Sequence, residues 1–95
     1  MTPDQDLNRM RWASRRGLLE LDLLLAPFVD ARYQQLTPEL KIQFQQLVTG
    51  EDQDIMNWLM GREPVADQNL ADIVAEIRAH NQAVGEARRA ARHDW

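Results

Sequence analysis

Cysteine is absent from the 95 residues, which removes disulfide staples, thiolate metal sites and cysteine nucleophiles together. Serine occurs once, as Ser14, with no histidine and acid partnership visible in the sequence, so nothing points to nucleophilic catalysis. The two histidines, His80 and His93, lie in a polar C-terminal region without ligand spacing and read as structural or solvated. No glycine-rich phosphate loop exists: the four glycines, Gly17, Gly50, Gly61 and Gly85, are isolated and mostly mark helix ends. Long apolar runs are missing as well. The longest covers residues 23–29 and contains Pro27, whereas a membrane span needs about 20 residues. The opening Met1-Thr2-Pro3-Asp4-Gln5-Asp6 has neither the apolar core of a secretory signal nor the acid-poor, Arg/Ser-rich character of a transit peptide. The expectation is a soluble, cytoplasmic chain, complete from Met1, with residues 1–6 as a polar lead.

What is present is a small acidic protein. Fifteen acidic and 11 basic side chains give a formal net charge of −4. A chain of this length buries roughly 65% of its unfolded surface, enough for one core. With backbone and side-chain ordering costing on the order of 1.5 kcal/mol per residue, little volume remains for a deep cleft and its supporting shell. Such proportions favour binding over catalysis.

Every strong apolar repeat has helical period, and no stretch alternates with period two, so the fold class is all-α: a compact single-domain bundle of about five short helices. The first helix is expected over residues 6–16, ending at Gly17, with Leu7, Met10, Ala13 and Ser14 on one face and Arg9, Trp12 and Arg16 on an adjoining one. The second, residues 18–33, carries two apolar stripes: Leu18, Leu21, Leu24, Leu25 and Phe28 on one side, Leu19, Leu23 and Ala26 on roughly the other. Such a helix is expected at the centre, packed on both faces. Thr37 and Pro38 open a third helix, with Leu40, Phe44, Leu47 and Val48 inward. Glu51, Asp52 and Asp54 open a short fourth around Ile55, Trp58 and Leu59, where the spacing of Trp58 from Ile55 favours a core position. Asp67 caps a fifth with Leu70, Ile73, Val74 and Ile77 as its core positions. Past Gln82 the repeat fades, so residues 7–82 form the expected domain and residues 83–95 an Arg-rich frayed or mobile tail.

The strongest local contrast is residues 9–22. Arg9, Arg11, Arg15 and Arg16 fall within eight residues of a negatively charged chain, with no lysine among them. Arginine's planar fork suits carboxylates, phosphates and carbonyls. Three readings stand: a solvated helix face with Trp12 half-buried, a nucleic-acid contact imitating a helix-turn-helix, or a protein-docking surface with Arg and Trp anchors. Acidic charge and the leucines directly after the turn oppose the second. Glu20 and Asp22 lie about 200° apart on a helix, so they do not form an acid/base pair. Gly17 suits a positive φ, and its role is structural, functional or both.

The run Arg15-Arg16-Gly17-Leu18-Leu19-Glu20-Leu21-Asp22 resembles the RGxxE motif of the succinate dehydrogenase assembly factor 2 family, the flavinylation factors of bacteria and mitochondria. Trp12, Pro27-Phe28, Asn57-Trp58-Leu59-Met60 and Pro64 extend the resemblance over residues 7–81. It implies a five-helix protein without catalytic activity of its own. Such a protein binds the flavoprotein subunit of succinate dehydrogenase, and in bacteria that of fumarate reductase, and promotes covalent attachment of FAD to it. On the resemblance, Arg16, Gly17 and Glu20 make the docking surface, with Arg9, Trp12, Arg15 and Asp22 adjoining. Arg16 and Glu20 are then expected to hydrogen-bond to the flavoprotein. No FAD is held tightly by the chain itself, no metal or nucleic acid is implied, and the free protein is expected to be monomeric. The competing reading is a small regulatory binding protein, antitoxin-like or associated with nucleic acid. Binding to DNA at moderate salt separates the two.

Overall fold

A computed structural model describes residues 2–93, with side chains for residues 2–87. Five α-helices and one 3₁₀ turn follow in order: α1 (Pro3–Ala13), α2 (Leu19–Arg32), the 3₁₀ turn (Tyr33–Gln35), α3 (Pro38–Leu47), α4 (Asp52–Leu59) and α5 (Gln68–His93). No strand occurs among the described residues.

The all-α expectation holds, while three boundaries and faces differ. Helix α1 begins at Pro3, so residues 3–6 of the expected lead are helical. Thr2 Oγ1 accepts from the Gln5 N–H at 3.2 Å and Gln5 Oε1 accepts from the Thr2 N–H at 3.0 Å. This reciprocal capping box, with Pro3 in the first position and Asp4 and Asp6 in the first turn, is sufficient to start a helix there. The same helix ends at Ala13, three residues before the expected Arg16, because Ser14 turns back: its N–H bonds to the Met10 carbonyl and its hydroxyl to that of Arg11 at 3.0 Å.

Helix α2 buries Leu21, Leu25, Phe28 and Val29, but its second stripe is not packed. Leu19 is 72% exposed and Leu23 62%. The helix touches α1, α4 and α5, as a central helix should, but its second stripe is left bare where packing on both faces was expected. Phe44 of α3 stacks on Phe28 at 6.1 Å and meets Tyr33 edge-on at 5.6 Å. Helix α5 closes this core with Leu70, Ile73, Val74 and Ile77, as its spacing predicts, and Trp58 lies half-buried against it. Beyond Gln82, α5 runs on through Gly85 to His93. The backbone is thus helical over residues 83–93, while the side chains beyond residue 87 and all of residues 94–95, part of the expected tail, lie outside the described residues.

One polar cluster ties the N-terminal helix to this core. Tyr33, buried, donates its hydroxyl to Asp6 Oδ2 at 2.7 Å and accepts from Gln45 Nε2 at 3.0 Å. Burial pushes the Tyr33 phenol up to about 12 from its usual 10; the Gln45 hydrogen bond opposes the shift, and the hydrogen bond to Asp6 and its charge add to it. Because the folded state holds this proton more tightly than the unfolded chain, its contribution to stability is intact below pH 10. It is lost as pH rises through about 12. Chemical denaturation followed between pH 8 and 12 is expected to show this loss, and Tyr33→Phe is expected to flatten it.

Candidate docking surface around Gly17

Between α1 and α2 the chain makes a five-residue turn whose geometry is set by one arginine. The Arg16 N–H donates to Asp22 Oδ1, in the first turn of α2, at 2.7 Å. Its guanidinium reaches the opposite way. Nε donates to Asp52 Oδ1 at 2.7 Å, Nη2 to the Gly50 carbonyl at 2.8 Å, and Nη1 to the carbonyls of Val48 and of Ala13. Four of arginine's five N–H hydrogens are thereby used inside the molecule, and the side chain is 19% exposed. This corrects the expectation that Arg16 presents its donors to a partner. Asp22 is likewise half-buried and occupied by the turn, so it supports the surface from behind.

Gly17 follows at φ +80°, the left-handed region that the sequence anticipates, and a Cβ built there would meet no atom within 4 Å. The residue is glycine for its backbone, while the volume in front of it is open. Gly17→Ala is expected to cost about 1 kcal/mol through the strained φ alone, read as a small shift in the denaturation midpoint with no change in helicity.

Several groups close to Gly17 in sequence are exposed. Glu20 lies on the first turn of α2 with no hydrogen bond or ion pair to any described residue. Arg15 is exposed, and its guanidinium also meets no partner among the described residues. Trp12 is 79% exposed, which overturns the half-buried reading and leaves an indole free for contact. Arg9 and Arg11, though exposed, are each paired: Arg9 with Asp6 at 3.1 Å, Arg11 with Asp30 of α2 at 2.7 Å. Shallow depressions lie beside Arg15: one is bordered by Leu23, Pro27 and Asp30 of α2, another by Arg11, Ala26 and Asp30, and a third, by Asn8, Arg11 and Trp12, belongs to α1. Of the seven residues singled out in the sequence, Arg9, Trp12, Arg15, Gly17 and Glu20 are exposed, Trp12 and Arg15 line one shallow depression, and Arg16 and Asp22 are half-buried and engaged within the molecule.

Sequence reasoning missed Leu19 and Leu23, which belong to this surface. The available signal was the excess of leucine on α2, more than one core face of a small domain can cover. It also missed Asp52 and the carbonyls of Val48 and Gly50, for which no local pattern exists. Of the histidines, His80 packs edge-on to Phe28 at 5.5 Å, with Nδ1 buried and unpartnered among the described residues. His93 falls among the residues whose side chains are not described.

Known proteins are similar to this chain. The family model described as the flavinator of succinate dehydrogenase matches residues 8–81. The FAD assembly factor SdhE of Idiomarina loihiensis is 46% identical over 70 residues, covering 74% of this chain and 78% of that protein. Its counterpart in Shewanella oneidensis is 47% identical over 73 residues, covering 77% and 89%. A solution structure of a UPF0350 protein superimposes with a TM-score of 0.71 at 35% identity, over 87% of this chain and 88% of the other. With the family match spanning most of the chain and both the motif and the helices around it in place, this protein belongs to the succinate dehydrogenase flavinator family.

Proposed function

We propose that the chain is an FAD assembly factor. It binds the flavoprotein subunit of succinate dehydrogenase, and also that of fumarate reductase, and promotes covalent attachment of FAD to that subunit. It acts in the cytoplasm as a monomer, is not itself an enzyme, and holds no FAD tightly of its own. FAD is carried by the client. The observation that best supports this reading is that the motif residues Arg15, Gly17 and Glu20, and Trp12 just before them, are all exposed, with open space where a Cβ of Gly17 would stand and no described partner for the Arg15 guanidinium or the Glu20 carboxylate.

Those groups suit docking. Trp and Arg are the side chains most often found to dominate binding energy, and the exposed Leu19 and Leu23 supply apolar area beside them. Glu20 accepts charge-assisted hydrogen bonds from the client, and Arg15 donates them. Docking holds the FAD-loaded flavoprotein in the arrangement in which its own histidine reaches the flavin 8α-methyl carbon. The contribution of this chain is orientation, and the bond is made within the client. The test is to express each flavoprotein subunit with and without this chain and measure flavin fluorescence after a denaturing gel. Covalent flavin that rises with the chain supports the proposal, and equal fluorescence in both samples overturns it.

A further inference from the structure

The unexplained feature of the site is that the arginine of its motif faces inward. Arg16 is bound from two directions. Its backbone N–H is held by Asp22 on α2, and its guanidinium by Asp52 at the start of α4 together with the Val48 and Gly50 carbonyls of the α3–α4 turn. The next residue is Gly17, at φ +80° and with open space where a Cβ would stand. Leu18, which precedes α2, supplies no side-chain cap. The turn that bears Gly17 is thus tied through Arg16 to the α3–α4 turn and to Asp22 in the first turn of α2, which carries Glu20 and is also held by buried Leu21. Among its guanidinium's partners only Asp52 is a side chain, and it alone carries a charge.

We infer that Asp52 is a positioning residue for flavinylation: through Arg16 it fixes the placement of Gly17 and Glu20 against the flavoprotein, without itself touching the client. This rests on the function proposed above and assigns part of it to a residue 36 positions away from Arg16, on the far side of the turn. The carboxylate and guanidinium meet at 2.7 Å with side-chain exposures of 39% and 19%, so the pair is shielded enough to hold a preferred geometry. Asparagine at residue 52 keeps the shape and the helix-start polarity but removes the charge and one equivalent oxygen.

The experiment is flavinylation of the purified flavoprotein subunit at limiting amounts of this chain, for the wild type, Asp52→Asn, Asp52→Glu, Glu20→Ala and the Asp52→Asn/Glu20→Ala double variant. Helicity and the Gly17 amide resonance are recorded for each. Because misplacement of a contact by about 1 Å can cost 10²-fold, Asp52→Asn is expected to lower the flavin yield about tenfold. It should retain helicity and move the Gly17 amide. Asp52→Glu, which keeps the charge, should recover most of both. The double variant should be no worse than Glu20→Ala alone, because both act through one contact. Wild-type yield from a folded Asp52→Asn variant overturns the inference, as does a loss that multiplies with that of Glu20→Ala, which would place Asp52 in direct contact with the client. Should Asp52→Asn lose helicity, Asp52→Glu decides: recovery of both the amide and the yield supports positioning, and an unrecovered yield rejects it. A wild type that promotes no flavinylation would reject the proposed function instead, and the amide shift would still report on the clamp.

Discussion

Glu20→Ala is expected to weaken binding to the flavoprotein about thirtyfold or more, the scale on which truncating one partner of a desolvated charged contact acts. Covalent flavin at limiting protein should fall in proportion, while helicity and thermal midpoint stay at wild-type values. The second half follows from the structure. Glu20 is exposed and bonds to no described residue, so its removal leaves no buried group unpaired. Its position on the first turn of α2 adds at most a few tenths of a kcal/mol through the helix dipole at an exposed site. A variant that lost both flavinylation and helicity would mean that the carboxylate supports the turn and does not contact the client. Isothermal titration with the flavoprotein subunit, set beside circular dichroism, separates the two.

Arg16→Ala should behave differently. Alanine removes four hydrogen bonds at once and leaves the Asp52 carboxylate and the Val48 and Gly50 carbonyls facing a cavity. Breaking a largely shielded charge pair while stranding its partners costs on the order of 3 kcal/mol, and the half-exposure of Asp52 keeps it from being larger. For a domain of this size that corresponds to a fall of roughly 10–20 °C in thermal midpoint. Flavinylation is expected to fail in the same variant, even well below its midpoint, because the turn bearing Gly17 loses its anchor. Arg16→Ala and Glu20→Ala thus both lower flavinylation strongly, but only the first destabilises. If Arg16 were instead a direct donor to the client, its removal would leave the melting temperature close to that of the wild type.

How far the sequence could be read depended on whether the deciding interaction was local. Helix α3 begins where Thr37-Pro38 predicts because cap and first turn are neighbours in sequence, with the Leu40 N–H donating to Thr37 Oγ1 at 3.3 Å. The α5 core residues follow from spacing for the same reason. The earlier start of α1 was also legible, since Thr2 and Gln5 form a capping box three residues apart, but the acidic opening was read as a lead. The bare face of α2 was not legible, because periodicity identifies apolar stripes without saying which of them a neighbour will cover. Nor was the direction of Arg16. Its residue type suits an outward anchor and an inward clamp equally, and its receptors lie on a different pair of helices. Gly17 and Glu20 could be singled out from the motif; the support beneath them required the tertiary fold.

The clamp also sets an order in time. All the outward-facing groups of the docking surface lie within the first 23 residues, and Ala13 and Asp22 supply two of the acceptors that hold Arg16, yet the remaining three arrive only with residues 48–52. A chain emerging from the ribosome therefore carries the complete motif long before it carries the shape that presents it, and that shape forms by closing a loop of 36 residues. The clamp on the Arg16 guanidinium is consequently complete only once the α3–α4 turn is in place. Half-made copies hold the right residues without the surface to use them.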